Sequence, residues 1–167
     1  MQPRRSSVIC LVACLAAAGA QMAYYYPLLP ERMATHFGPS GLPDGWMTKN
    51  AFMVTYAGLL AFTTLGFVGI GSRMSAIPND LINLPNKDYW LASERRASSF
   101  AFLQAQMTWF GVATAALLLA MMQLVFQANL SPVTRLGNTA WLYLILYLAY
   151  TAVWTVGLIR RFGRRPE

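Results

Sequence analysis

Four runs of about twenty or more residues, apolar throughout and with no Asp, Glu, Lys, Arg or His in their interiors, constrain this chain more than any motif in it. They lie at about 7–26, 50–71, 100–127 and 138–159. A helix rises about 1.5 Å per residue, so twenty residues cross the roughly 30 Å hydrocarbon layer of a bilayer. Inside that layer backbone groups must bond within their own segment and an isolated charge is costly, so such runs are read as spanning helices. The expected fold is therefore an all-α membrane protein, a four-transmembrane-helix bundle forming one integral domain over 1–167. The third run is long enough to tilt or to protrude from the bilayer. Composition agrees: 56% of the chain is hydrophobic and 11% charged, against about 25% charged in an average soluble domain.

The first run also has features of a signal peptide. Arg4 and Arg5 precede it, Ala18-Gly19-Ala20 could be a cleavage site, and Leu11-Val12-Ala13-Cys14 could be a lipobox. The apolar run continues past Cys14 to Tyr24, Tyr25 and Tyr26 at an interface, which favours a retained helix. Cys10 and Cys14 both fall within it, one turn apart, and read as small packing residues rather than a disulfide framework.

The formal net charge of +7 does not point to nucleic acid, because the basic residues flank the apolar runs and form no stripe with interleaved aromatics. They instead give orientation. Arg4, Arg5, Arg73, Lys87, Arg95, Arg96, Arg160, Arg161, Arg164 and Arg165 fall on one side, and Arg32, Lys49 and Arg135 on the other. By the positive-inside rule the first set is cytoplasmic. Both termini and the loop at 72–98 are then expected in the cytoplasm, with the loop at 27–49 outside.

The outer loop, "LLPERMATHFGPSGLPDGWMTK" within 28–49, is too rich in aromatic and apolar residues for a flexible linker. Met33–Phe37, then Gly38-Pro39-Ser40-Gly41 and Pro43-Asp44-Gly45, read as extended pieces joined by turns, either separate or paired as a hairpin, making a small ordered outer cap. His36 lies between Glu31 and Asp44, a set that could bind a metal or switch with pH. One histidine with two scattered carboxylates falls short of a zinc ligand set, so no metal is expected and a structural hydrogen bond is favoured. Asp44-Gly45 reads as a turn, with Trp46 and Lys49 anchoring the second helix at the interface.

The pattern Leu29-Pro30, His36-Phe37, Gly41, Pro43-Asp44, Trp46 and Lys49, set between a first and a second spanning helix, resembles the bacterial domain of unknown function 1648. That domain also stands at the front of the immunity proteins of the sporulation-delaying toxin system. The stretch "INLPNKDYWLASERR", Ile82–Arg96, resembles the segment after that domain in small stand-alone members. The resemblance implies a bacterial membrane protein. Through the immunity proteins it implies protection against a secreted peptide and, in some, membrane sequestration of a repressor. His36 and Asp44 would then contribute to a surface for a peptide or lipid head group.

Three further groups of residues are candidates for binding. In the loop at 72–98, Asn83, Asn86, Asp88, Trp90, Glu94 and Arg95 could dock a partner; alternatively, Tyr89, Trp90 and Leu91 dip into the head-group layer while Arg95 and Arg96 meet anionic lipid. On the fourth helix Tyr143, Tyr147, Tyr150 and Trp154 share a face, read as bonding to Gln104, Gln106 or Thr108 of the third rather than as lining a ligand groove. On the first helix Ala13 and Ala17, Ala16 and Ala20, and Gly19 and Ala23 stand four apart and admit a close neighbour, either the second helix or another protein; Gly66, Gly69 and Gly71 suggest the same for the second.

No phosphate loop, nucleophile elbow or intramembrane charge appears. No catalytic residue and no cofactor are expected. The reading is a multi-pass protein of the bacterial inner membrane acting by binding. It would be either an accessory subunit contacting lipid and other membrane proteins or itself, or an immunity-type receptor for a secreted peptide or envelope component.

Overall fold

A computed structural model of the chain describes residues 3–164. Arg165, one of the basic residues that indicate orientation, lies outside the described residues, as does the side chain of Arg4. The elements in order are α1 (Pro3–Tyr25), β1 (Arg32–Phe37), β2 (Pro43–Thr48), α2 (Lys49–Arg73), two single 3-10 turns (Met74–Ala76 and Asn79–Leu81), α3 (Lys87–Trp90), α4 (Ser93–Leu130) and α5 (Thr139–Gly163). Of these, α1, α2, α4 and α5 are long and apolar enough to cross a membrane.

The helix of the third run begins at Ser93 rather than near 100, so Glu94 and Arg95 lie in its first turn and not in a loop. Apolar composition marks where a helix enters lipid, whereas its end is set by backbone bonding, and Ser, Glu, Arg and Ala all tolerate a helix outside lipid. With 38 residues α4 is about 57 Å long, nearly twice the hydrocarbon thickness.

Instead of closing a ring of four, the helices gather around α4. Both α1 and α2 lie along it and scarcely meet each other, while α5 touches it over a shorter stretch. Glycines set the α2–α4 approach. A Cβ on Gly111 would come within 3.1 Å of Phe67 Cβ, and one on Gly71 within 3.4 Å of Gln104 Cγ. Gly66 and Gly69 meet nothing within 4 Å, so of the three glycines expected to pack only Gly71 does.

Two cores result, at opposite ends of α4. At the hairpin end, Phe126 is wholly buried, stacked on Tyr25 at 4.9 Å and met edge-on by Phe52 and Tyr56. Leu29 and Met33, from the connection between α1 and α2, complete that cluster. At the other end, called the basic end because Arg73, Arg95, Arg96, Arg160, Arg161 and Arg164 emerge there, Leu91, Phe100, Leu103 and Phe162 form a second cluster with Trp90 against it.

Beside the first core lies a polar knot within the apolar runs. Gln21 Nε2 donates to Gln123 Oε1 at 2.9 Å and to the Leu119 carbonyl at 3.1 Å. Tyr56 donates its hydroxyl to Gln21 Oε1 at 3.0 Å, and Gln123 Nε2 donates to the Tyr25 hydroxyl. These bonds tie α1, α2 and α4 in one axial register, since an unmatched amide in hydrocarbon is costly.

Candidate functional site

The segment between α1 and α2 is an antiparallel hairpin with Met33 opposite Met47, Ala34 opposite Trp46 and His36 opposite Gly45. Its register is irregular between Ala34 and His36, and again between His36 and Phe37. Met33 and Ala34 are both buried, Ala34 under the Asn129 side chain, while His36 points out as the strand's alternation from Met33 requires. Gly45 makes room for it: a Cβ there would lie 2.8 Å from His36 Cβ.

His36 Nδ1 hydrogen-bonds Asp44 Oδ1 across the strands, with the two side chains 76% and 55% exposed. This is the histidine bond anticipated from the sequence, and Asp44 serves His36 rather than the turn. Glu31, the third member of the considered ligand set, pairs instead with Lys49 at 2.9 Å. Among the described residues no three His, Cys, Asp or Glu side chains converge as a metal site would require.

Lys49 bonds within the chain: its Nζ pairs with Glu31 and donates to the Leu29 carbonyl at 3.4 Å. It is buried at the hairpin base, under Tyr26 and beside Glu31, and its backbone N–H donates to the Glu31 carbonyl at 2.9 Å. Trp46 is 44% exposed, with the Arg32 guanidinium 5.5 Å from its ring.

The hairpin is fastened to α4 and to the turn after it by residues that a search for charges overlooks. Ala34 donates its N–H to Asn129 Oδ1 at 2.8 Å and accepts from Asn129 Nδ2 at 2.9 Å, so a side-chain amide takes the place of a third strand along that edge. At the tip, Gly41 adopts φ +79°, its carbonyl accepts from Leu136 N–H at 2.9 Å, and Arg135 Nε donates to the Ser40 carbonyl at 3.2 Å. A Cβ on Gly41 would sit 2.3 Å from the Leu136 carbonyl oxygen, so only glycine fits. The signal present in the sequence is the set of uncharged amides in or beside apolar runs, Gln21, Gln123 and Asn129.

At the basic end, most of the residues expected to dock a partner bond within the chain. Asn86, itself in the left-handed region at φ 51°, donates Nδ2 to the Phe162 and Gly163 carbonyls at 3.0 Å each. Trp90 Nε1 donates to the Phe162 carbonyl at 2.9 Å. These groups cap the C-terminus of α5, where helix carbonyls lack intrahelical partners. Arg95 Nε donates to the Tyr89 carbonyl at 3.0 Å and its guanidinium lies 4.0 Å from the Tyr89 ring. Glu94 accepts from Ser93 Oγ at 2.8 Å. Asn83 and Asp88 stand exposed.

The aromatic face of α5 meets α4 one or two turns away from the expected partners. Tyr147 hydrogen-bonds Thr114 Oγ1 at 2.8 Å, and Phe110 lies against the rings of Tyr147, Tyr150 and Trp154. Thr108 donates to the Gln104 carbonyl of its own helix instead. On α1, Leu11 and Ala18 are buried toward the bundle, whereas Ala13, Ala16, Ala17, Gly19, Ala20 and Ala23 are all exposed. The small-residue face therefore does not meet α2.

Residues 8–60 match the family model described as "Domain of unknown function (DUF1648)". No curated protein and no solved structure matches the chain. The matched stretch holds most of α1, the whole hairpin and the first part of α2, including Gln21, His36, Asp44, Trp46 and Tyr56. Through residues 8–60, about a third of its length, the chain is similar to the DUF1648 family.

Proposed function

We propose that this chain is a non-catalytic protein of the bacterial inner membrane that acts by binding, as an accessory subunit of a larger membrane complex. Its termini lie in the cytoplasm and its hairpin outside, a sidedness supported by the crowding of basic residues at the end opposite the hairpin. The observation that carries the subunit reading is the exposed small-residue face of α1. Without a hydrophobic drive between helices in lipid, close backbone approach over small residues is the main route to association. The chain's own helices leave that face open.

Purification of the tagged protein from its native membrane in mild detergent, followed by mass spectrometry, tests the reading. A stoichiometric membrane partner is expected, and Ala16→Leu with Ala20→Leu should release it while the protein stays folded. Purification as a lone monomer, or a partner indifferent to those substitutions, would overturn it.

A second reading, the immunity-type receptor, is favoured by one feature: the exposed His36–Asp44 pair beside half-exposed Trp46 on the hairpin. In that case His36→Ala or Asp44→Ala abolishes recognition of a secreted peptide or envelope component and leaves the association state unchanged.

A further inference from the structure

Where α2 ends and α4 begins, an open cavity of about 460 Å³ is lined by Ser72, Ser75, Ser93, Arg96, Phe100 and Gln104 among others. Arg96 is fixed in its wall. Its Nε donates to Asn79 Oδ1 at 3.2 Å, its Nη2 to the Ser75 carbonyl at 3.0 Å, and its guanidinium lies 4.6 Å from the Phe100 ring. Every one of these partners is neutral, and among the described residues the ion pairs are His36–Asp44 and Lys49–Glu31, both at the hairpin end. The charge of Arg96 is therefore positioned but not neutralised. Deeper in the cavity, half-buried Gln104 lies where α2 and α4 cross at Gly71, and its amide makes no hydrogen bond within the described residues, nor does the Ser75 hydroxyl at the mouth.

A held cation, a free amide and a free hydroxyl around one space suit a phosphate oxyanion. Between Arg96 and Gln104 the α4 wall is apolar, made by Phe100 and Ala101, so polar groups and an apolar surface border the same space. A soluble anion would have no use for that apolar surface. We propose that this cavity binds the head group of an anionic glycerophospholipid, its phosphodiester between Arg96, Ser75 and Gln104 and an acyl chain running over Phe100 and Ala101. The Glu94 carboxylate turns to Ser93 and does not line the cavity. Basic pockets between spanning helices are suited to such head groups. The assignment does not depend on the subunit reading.

The test is native mass spectrometry of the full chain in detergent, titrated with dioleoylphosphatidylglycerol, with dioleoylglycerol lacking the phosphate, and with inorganic phosphate. One retained phosphatidylglycerol per chain is expected, with none for dioleoylglycerol. Gln104→Leu should weaken that binding about tenfold, the loss of one hydrogen bond to a charged group. Gln104→Leu is the decisive variant because this side chain bonds nothing else, whereas Arg96→Gln also removes the bonds to Asn79 and Ser75. Arg96→Lys, which keeps the charge, should bind better than Arg96→Gln. Equal retention by the wild type and by Gln104→Leu would overturn the site. Displacement of the lipid by millimolar inorganic phosphate, with phosphate binding by itself, would overturn the lipid in favour of a soluble anion.

Discussion

The hairpin end of the molecule is ordered by backbone pairing and a packed aromatic core, while the basic end is ordered by side chains reaching for carbonyls. At the first, a strand ladder satisfies its own backbone and Met33 drops beside Phe126. At the second, the stretch from Arg73 to Ser93 has only three single-turn helices, and Asn86, Trp90, Arg95, Arg96 and Ser99 each donate to a main-chain oxygen. The difference shows that a polar, aromatic-rich loop is not by itself a docking surface. Where the backbone lacks a ladder, its carbonyls draw the side chains inward.

Five substitutions would break or sharpen that contrast. Phe126→Ala should act most strongly, lowering stability by about 3–5 kcal/mol because it empties the centre of the hairpin-end core; thermal unfolding in detergent measures it. Gly41→Ala combines a positive φ with a clash against the Leu136 carbonyl and should cost about 1–3 kcal/mol, seen as faster amide exchange in both the hairpin tip and the 131–138 turn. An unchanged exchange pattern would show that the tip is not fastened there.

Asn129→Leu leaves the Ala34 N–H and carbonyl unpaired, a loss of about 1–3 kcal/mol, and should raise exchange at Ala34 without loosening the basic end. Asn86→Ala is the mirror experiment. It should cost about 0.5–1.5 kcal/mol and fray the last turn of α5 while the hairpin stays protected. If Asn86→Ala loosens both ends alike, the two cores are not separate units. As the lower bound, His36→Ala on the exposed strand face should change stability by less than about 0.5 kcal/mol.

The four apolar helices were legible because lipid tolerates no interior charge, a rule that leaves its mark on every residue of a span. The hairpin was half legible: Gly38, Gly41 and Pro43 announced turns and a hydrogen bond was expected of His36, but its partner was not, since Asp44 read as serving the turn. The register shifts on either side of His36 left no such mark, since a bulge depends on the partner strand. Asn129, Gln123 and Leu136 lie some ninety-five or more residues from their hairpin and α1 partners, so no local pattern could connect them. The starting point of α4 was hidden for a related reason: hydropathy records the bilayer, not the helix.

Because Asn129 grips the hairpin at one end of α4 and Arg96 and Ser99 grip the loop at the other, a single rod about 57 Å long joins the two surfaces of the membrane. Tilting the hairpin would therefore swing the far loop in the opposite sense, as a lever turns about its fulcrum. Anything that pulls on one side of the bilayer would be felt on the other without a conformational change inside the helix.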